Sequence, residues 1–90
     1  MENRICVIML TYNRFQYVER SIDSLYKRAG HEFDLYVFDD FSDIDIQNKL
    51  KILQKKYNFK LFINEKRLGI YRSFYWNLKL YHEIMIIIQN

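Results

Sequence analysis

Short apolar runs alternate along the chain with segments whose apolar residues recur at helical spacing. Ile5-Cys6-Val7-Ile8-Met9-Leu10 is uninterrupted, as expected of a central parallel strand buried on both faces. A second run reaches from Phe33 to Asp39, a third covers 59–63, and Ile84-Met85-Ile86-Ile87-Ile88 is a fourth. Between them, Val18, Ile22, Leu25 and Tyr26 share one face of a helix predicted at 15–28. Ile46, Leu50, Leu53 and Tyr57 do the same for 45–57, and Phe74, Leu78 and Tyr81 for 71–81. Asn13 is a reasonable N-cap for the first helix, Gly30 its C-terminal stop, and Asp43 or Asp45 a cap for the second.

This alternation predicts an α/β fold, a Rossmann-like parallel sheet in three layers with strands at 5–10, 33–39, 59–63 and 84–88. Residues 1–90 form one domain, without a linker, repeat or low-complexity segment. The chain stops two residues after its most hydrophobic strand, so the expectation is a partial domain, the first half of something larger.

Composition narrows the class. Half of the residues are hydrophobic and 18% aromatic, which excludes disorder. The net charge is +3 and unevenly placed: residues 1–45 carry nine acids and five bases, residues 46–90 two acids and nine bases. Lys49, Lys51, Lys55 and Lys56 account for much of this as a solvated helix face, and no nucleic-acid motif accompanies them. The single Cys6 sits in an apolar strand, which excludes a disulfide framework and reads as a small core residue. His31 and His82 lack the spacing of a zinc site. With no leader-like opening and no run of about 20 apolar residues, the expected location is the cytoplasm.

The chemistry concentrates at Asp39-Asp40, where the second apolar run meets the turn residues Phe41-Ser42-Asp43. A strand that ends in acids delivers them to the carboxyl edge of the sheet, where open α/β folds bind ligands. Adjacent carboxylates repel unless solvent, a cation or hydrogen-bond donors satisfy them. The bland reading has one of them capping the next helix and the other in solvent; the functional reading gives one a ligand.

Several strings carry a resemblance. Val7-Ile8-Met9-Leu10-Thr11-Tyr12-Asn13-Arg14 resembles the opening strand and T-Y-N-R loop of family 2 glycosyltransferases of the GT-A fold. Tyr17, Arg20, Ser21 and Leu25 are similar to residues of that family's first helix, and Tyr36-Val37-Phe38-Asp39-Asp40-Phe41-Ser42 to its V-V-D-D-G-S element. Asn64-Glu65 with Leu68-Gly69 resembles its N-x-x-x-x-G segment, and Ile84–Ile88 with Gln89-Asn90 the lead-in to its aspartate-x-aspartate metal motif. Phe41 stands where the family has glycine, so that turn is expected to take a different backbone shape.

The resemblance implies a GT-A-like half domain that binds a nucleotide-diphospho-sugar donor and passes the sugar, with inversion, to a saccharide or lipid-linked acceptor hydroxyl. Asp40 is the expected acceptor for a ring N–H of uracil or guanine, and Asp39 the acid that fixes the loop after the first strand. Tyr12 is either a ring against which the base packs or an ordinary loop aromatic. Thr11 and Asn13 offer polar groups at the same edge. Gly69 and Arg72 fall where a helix start and a cation would meet the diphosphate, while Lys66 and Arg67 read as solvated. The family implies Mg²⁺ or Mn²⁺, but its key aspartate would follow Asn90, so poor metal binding is expected here. The catalytic base is also absent from the chain, and peripheral membrane association is open for a longer protein. The alternative is a non-catalytic or degenerate Rossmann-like domain with weak or no nucleotide binding. A flavodoxin- or receiver-like module fits less well, because its acid pair follows the first strand.

Overall fold

The computed structural model describes residues 5–30, 32–67 and 84–89. These give strand β1 (Ile5–Thr11), helix α1 (Phe15–Ala29), strand β2 (Phe33–Asp39), helix α2 (Ile44–Tyr57), and strands β3 (Lys60–Ile63) and β4 (Ile84–Gln89). All pairings are parallel and the strand order is β3-β2-β1-β4, so β1 and β2 lie at the centre and β3 and β4 at the edges. The predicted elements agree to within a residue or two at each end. The helix expected at 71–81 lies outside the described residues, as do Gly69, Arg72, His31, His82 and Asn90.

Alternate side chains of each strand define the two faces of the sheet. Val7 and Met9 of β1, with Leu35 and Val37 of β2, pack with Val18 and Ile22 of α1 and Leu50 and Leu53 of α2 into the main core. Leu25, Tyr26, Ile46 and Tyr57 close its margin. Both helices therefore cover one face, and the opposite face carries a smaller cluster of Cys6, Ile8 and Phe38. Two of the three predicted layers are thus built from the described residues. Cys6 is buried in this cluster, and burial together with the nearby Asp34 charge pushes its thiol up to about 11. It is an inert core residue, as its apolar setting in the sequence suggested.

The helix ends obey local rules where the backbone requires it. Gly30 ends α1 at φ +63, with its N–H bonded to the Tyr26 carbonyl, and Asn58 ends α2 in the left-handed region at φ +57. Asn13 is not the N-cap of α1: that position is Arg14, and Asn13 has a different use. Asp43 occupies the N-cap of α2 without a side-chain cap bond.

Candidate functional site

Three chain segments meet at the carboxyl edge of the sheet because strand pairing continues past the strand ends. The Asp40 N–H donates to the Thr11 carbonyl at 2.9 Å, and the Asn64 N–H to the Asp39 carbonyl at 2.9 Å. The loops after β1, β2 and β3 are thereby held side by side. This brings Thr11, Tyr12, Asn13, Asp39 and Asp40 together, and with them Asn64 and Arg67.

Asp39 is fully buried and acts within the scaffold. Its Oδ2 accepts from the Ser42 N–H at 2.9 Å, and its Oδ1 from the Ser42 hydroxyl. The same hydroxyl accepts from the Asn13 N–H at 2.8 Å, and Asn13 Oδ1 accepts from the Asp43 N–H at 2.9 Å. Asp39 therefore fixes the loop after β1 through Ser42, and Asn13 clamps that loop to the turn after β2 instead of capping a helix. Burial raises the Asp39 pKa against the lowering effect of the two Ser42 bonds, and the neighbouring Asp40 charge adds to the rise. Neither acid caps α2, because both are turned into the loop cluster.

The turn that follows corrects another expectation. Phe41 adopts φ +62, the left-handed conformation that glycine enters without cost, so the turn keeps a glycine-like shape with a phenylalanine in it. The geometry is over-determined by the Asp39–Ser42 bonds on either side, and the Phe41 ring is left 48% exposed.

Asp40 faces a different set of groups. Asn64 Nδ2 donates to its Oδ1 at 2.8 Å, and Arg67 Nε lies 3.6 Å from its Oδ2 as an ion pair. The Arg67 guanidinium also sits over the Tyr12 ring, 3.7 Å from its centroid. An acceptor, an aromatic plane and a cation are thus brought together from three loops. Asn64 and Arg67 are the residues that sequence reasoning missed. In the sequence Asn64 falls within a family-like string and Arg67 reads as solvated; their place after a third strand is the signal that both belong to the same edge. The buried Thr11 hydroxyl has no hydrogen-bond partner among the described residues.

The arrangement places a carboxylate acceptor, an aromatic plane and a cation within reach of one another. Both Asp39 oxygens serve Ser42, and Asp40 is engaged by Asn64 and Arg67. Among the described residues no group of three His, Cys, Asp or Glu side chains could hold an ion.

A sequence model described as glycosyl transferase family 2 matches residues 6–80, from within β1 to beyond the Asn64–Arg67 loop. The chain belongs to that family. It is 30% identical over 74 residues to "Dolichyl N-acetyl-alpha-D-glucosaminyl phosphate 3-beta-D-2,3-diacetamido-2,3-dideoxy-beta-D-glucuronosyltransferase" of Methanococcus voltae. That match takes in 77% of this chain and 23% of the relative, so the chain spans about a quarter of the relative's length. For this family 2 glycosyltransferase chain, the four-stranded parallel sheet with its helices is consistent with a GT-A-like half domain. None of the helices among the described residues is long and apolar enough to cross a membrane.

Proposed function

We propose that the chain forms the donor-binding part of a glycosyltransferase that takes a nucleotide-diphospho-sugar and transfers the sugar to a saccharide or lipid-linked acceptor hydroxyl. The observation that carries this reading is the convergence of Asp40 and Tyr12 at one sheet edge, joined by Arg67. A uracil or guanine ring presents an in-plane N–H and a flat apolar face, and these call for a carboxylate acceptor beside an aromatic ring. In this reading Asp40 accepts the ring N–H and Tyr12 packs against the ring. Asp39, Ser42 and Asn13 hold the loops that carry them, and Thr11 lines the floor.

The reaction is an inverting displacement at the anomeric carbon, with the general base supplied from outside these residues. Negative charge grows on the leaving diphosphate and must be met by cations. Arg72, beyond Gly69, is the cation assigned to it here. A Mg²⁺ or Mn²⁺ ion, if the complete enzyme uses one, would add to that neutralisation; no step is assigned to it on this chain. A lipid-linked acceptor is favoured over a free saccharide by the name of the Methanococcus voltae relative.

Titration of the chain with UDP, GDP and dTDP by calorimetry tests the reading. Binding by one of them, weakened about ten-fold by Asp40→Asn, is the expected result, the size of losing a hydrogen bond to a charged group. No heat at millimolar nucleotide refutes donor binding by this chain and leaves the non-catalytic alternative. An unchanged affinity in Asp40→Asn refutes the base contact.

A further inference from the structure

The two features assigned to the nucleobase are both in contact with Arg67. Its guanidinium lies at stacking distance from the Tyr12 ring, 3.7 Å from the centroid, which leaves no space for a second plane between them. Its Nε is also 3.6 Å from Asp40 Oδ2, while Asn64 takes Oδ1. One cation therefore covers an aromatic face and neutralises the acceptor beside it. A planar guanidinium with N–H donors matches a nucleobase in shape and in bonding, since both present a flat π-surface and an N–H edge.

We propose that Arg67 is the gate of the base site: it occupies the place of the nucleobase between Tyr12 and Asp40, and binding exchanges one for the other. This rests on the reading of Tyr12 and Asp40 as the base-binding pair. The physical terms favour an exchange over a permanent plug. The Arg67 side chain is 61% exposed, so solvent screens its pairing with Asp40 and the contact is weak. Arg67 lies on the loop after β3, four residues past the strand end, where its side chain can swing out while the backbone bond from Asn64 to Asp39 stays closed. The gate also keeps the Asp40 charge compensated whenever no base is bound, which the neighbouring buried Asp39 makes more demanding. Ligands that lack an in-plane N–H, and so offer Asp40 nothing in return, are disfavoured because they must displace Arg67 without compensation.

The test uses neutral nucleosides, uridine and guanosine, so that the phosphate charge does not enter. Proton NMR of the chain reads the Arg67 side chain directly, assigned by comparison with Arg67→Ala. Before addition its side-chain protons are expected upfield, shielded by the Tyr12 ring. As the nucleoside saturates the site they return to ordinary positions, and Arg67→Ala binds the same nucleoside about two- to five-fold more tightly, the size of an exposed cation–π contact. Retained shielding at saturation means the base stacks on the outer face of Arg67 and overturns the gate. Weaker nucleoside binding by Arg67→Ala makes Arg67 a ligand and also overturns it. In both of those cases resonances of Tyr12 and Asp40 still respond, so the base-site reading survives. If neither chain responds to either nucleoside anywhere, that reading fails and the gate falls with it.

Discussion

Ser42→Ala removes one oxygen and with it the two hydrogen bonds that tie the loop after β1 to the turn after β2. Ser42 is buried, its hydroxyl donates to the buried Asp39 carboxylate, and it accepts from the Asn13 N–H. Losing a hydrogen bond to a charged group costs about 1.5–3 kcal/mol, and the Asn13 N–H, partly open to water, adds roughly 0.5–1 kcal/mol. The expected loss is about 2–4 kcal/mol, against a total of about 5–13 kcal/mol for a chain of this size. Urea denaturation at neutral pH measures it, with the slope unchanged and Ser42→Thr as the hydroxyl-retaining control.

The pH dependence makes the prediction sharper. Asp39 has a raised pKa in the folded chain, so folding favours its protonated form. Its contribution to stability is most favourable below the ordinary carboxylate range and is lost as pH rises through the raised value. The Ser42 hydroxyl bond helps to hold that value down, and without it the value rises further although the Ser42 N–H bond remains. Ser42→Ala should therefore lose most at neutral pH, and the gap to the parent should narrow to about 1 kcal/mol as the pH falls through the Asp39 range. A neutral-pH loss under about 1 kcal/mol, or a gap that stays constant with pH, would refute the role of the Ser42 hydroxyl in linking Asp39 to the loop after β1.

Phe41→Gly should stabilise the chain by roughly 0.5–1 kcal/mol in the same assay, because relief of the left-handed strain exceeds the entropy that glycine adds to the unfolded state; a loss of similar size would show that the exposed ring makes contacts worth more than the strain. Ile22→Ala in the core should cost about 2–5 kcal/mol, whereas Ile52→Ala on the exposed face of α2 should change stability by less than about 0.5 kcal/mol. Cys6 should resist a disulfide reagent at pH 8 in the native chain and react once urea exposes it, since its thiol is buried and titrates at about 11; rapid native labelling would contradict the packing of the second cluster.

Periodicity alone determined β1, β2, α1 and α2, because each of these buries its own apolar residues and that pattern is written locally. The continuous run of β1 and the Val18–Ile22 and Leu50–Leu53 stripes meet in one core, as their spacing implies. The resemblance of Thr11–Arg14 and Tyr36–Ser42 to family strings pointed to the right family for the same reason: those residues are local in sequence.

What the sequence could not decide was which polar groups face one another. Asn13 has the chemistry of a cap, and its use as a clamp on Asp43 depends on a loop 30 residues away. Phe41 has no intrinsic reason to enter the left-handed region; the Asp39–Ser42 bonds impose it. Arg67 reads as a solvated cation until β3 is laid beside β2, and then its guanidinium falls on Tyr12 and Asp40. Burial patterns are a property of one segment and its period, whereas hydrogen bonds and ion pairs between loops need the register of the strands that carry them. That register is set by the assembled sheet, so the tertiary structure alone decided how these polar groups pair.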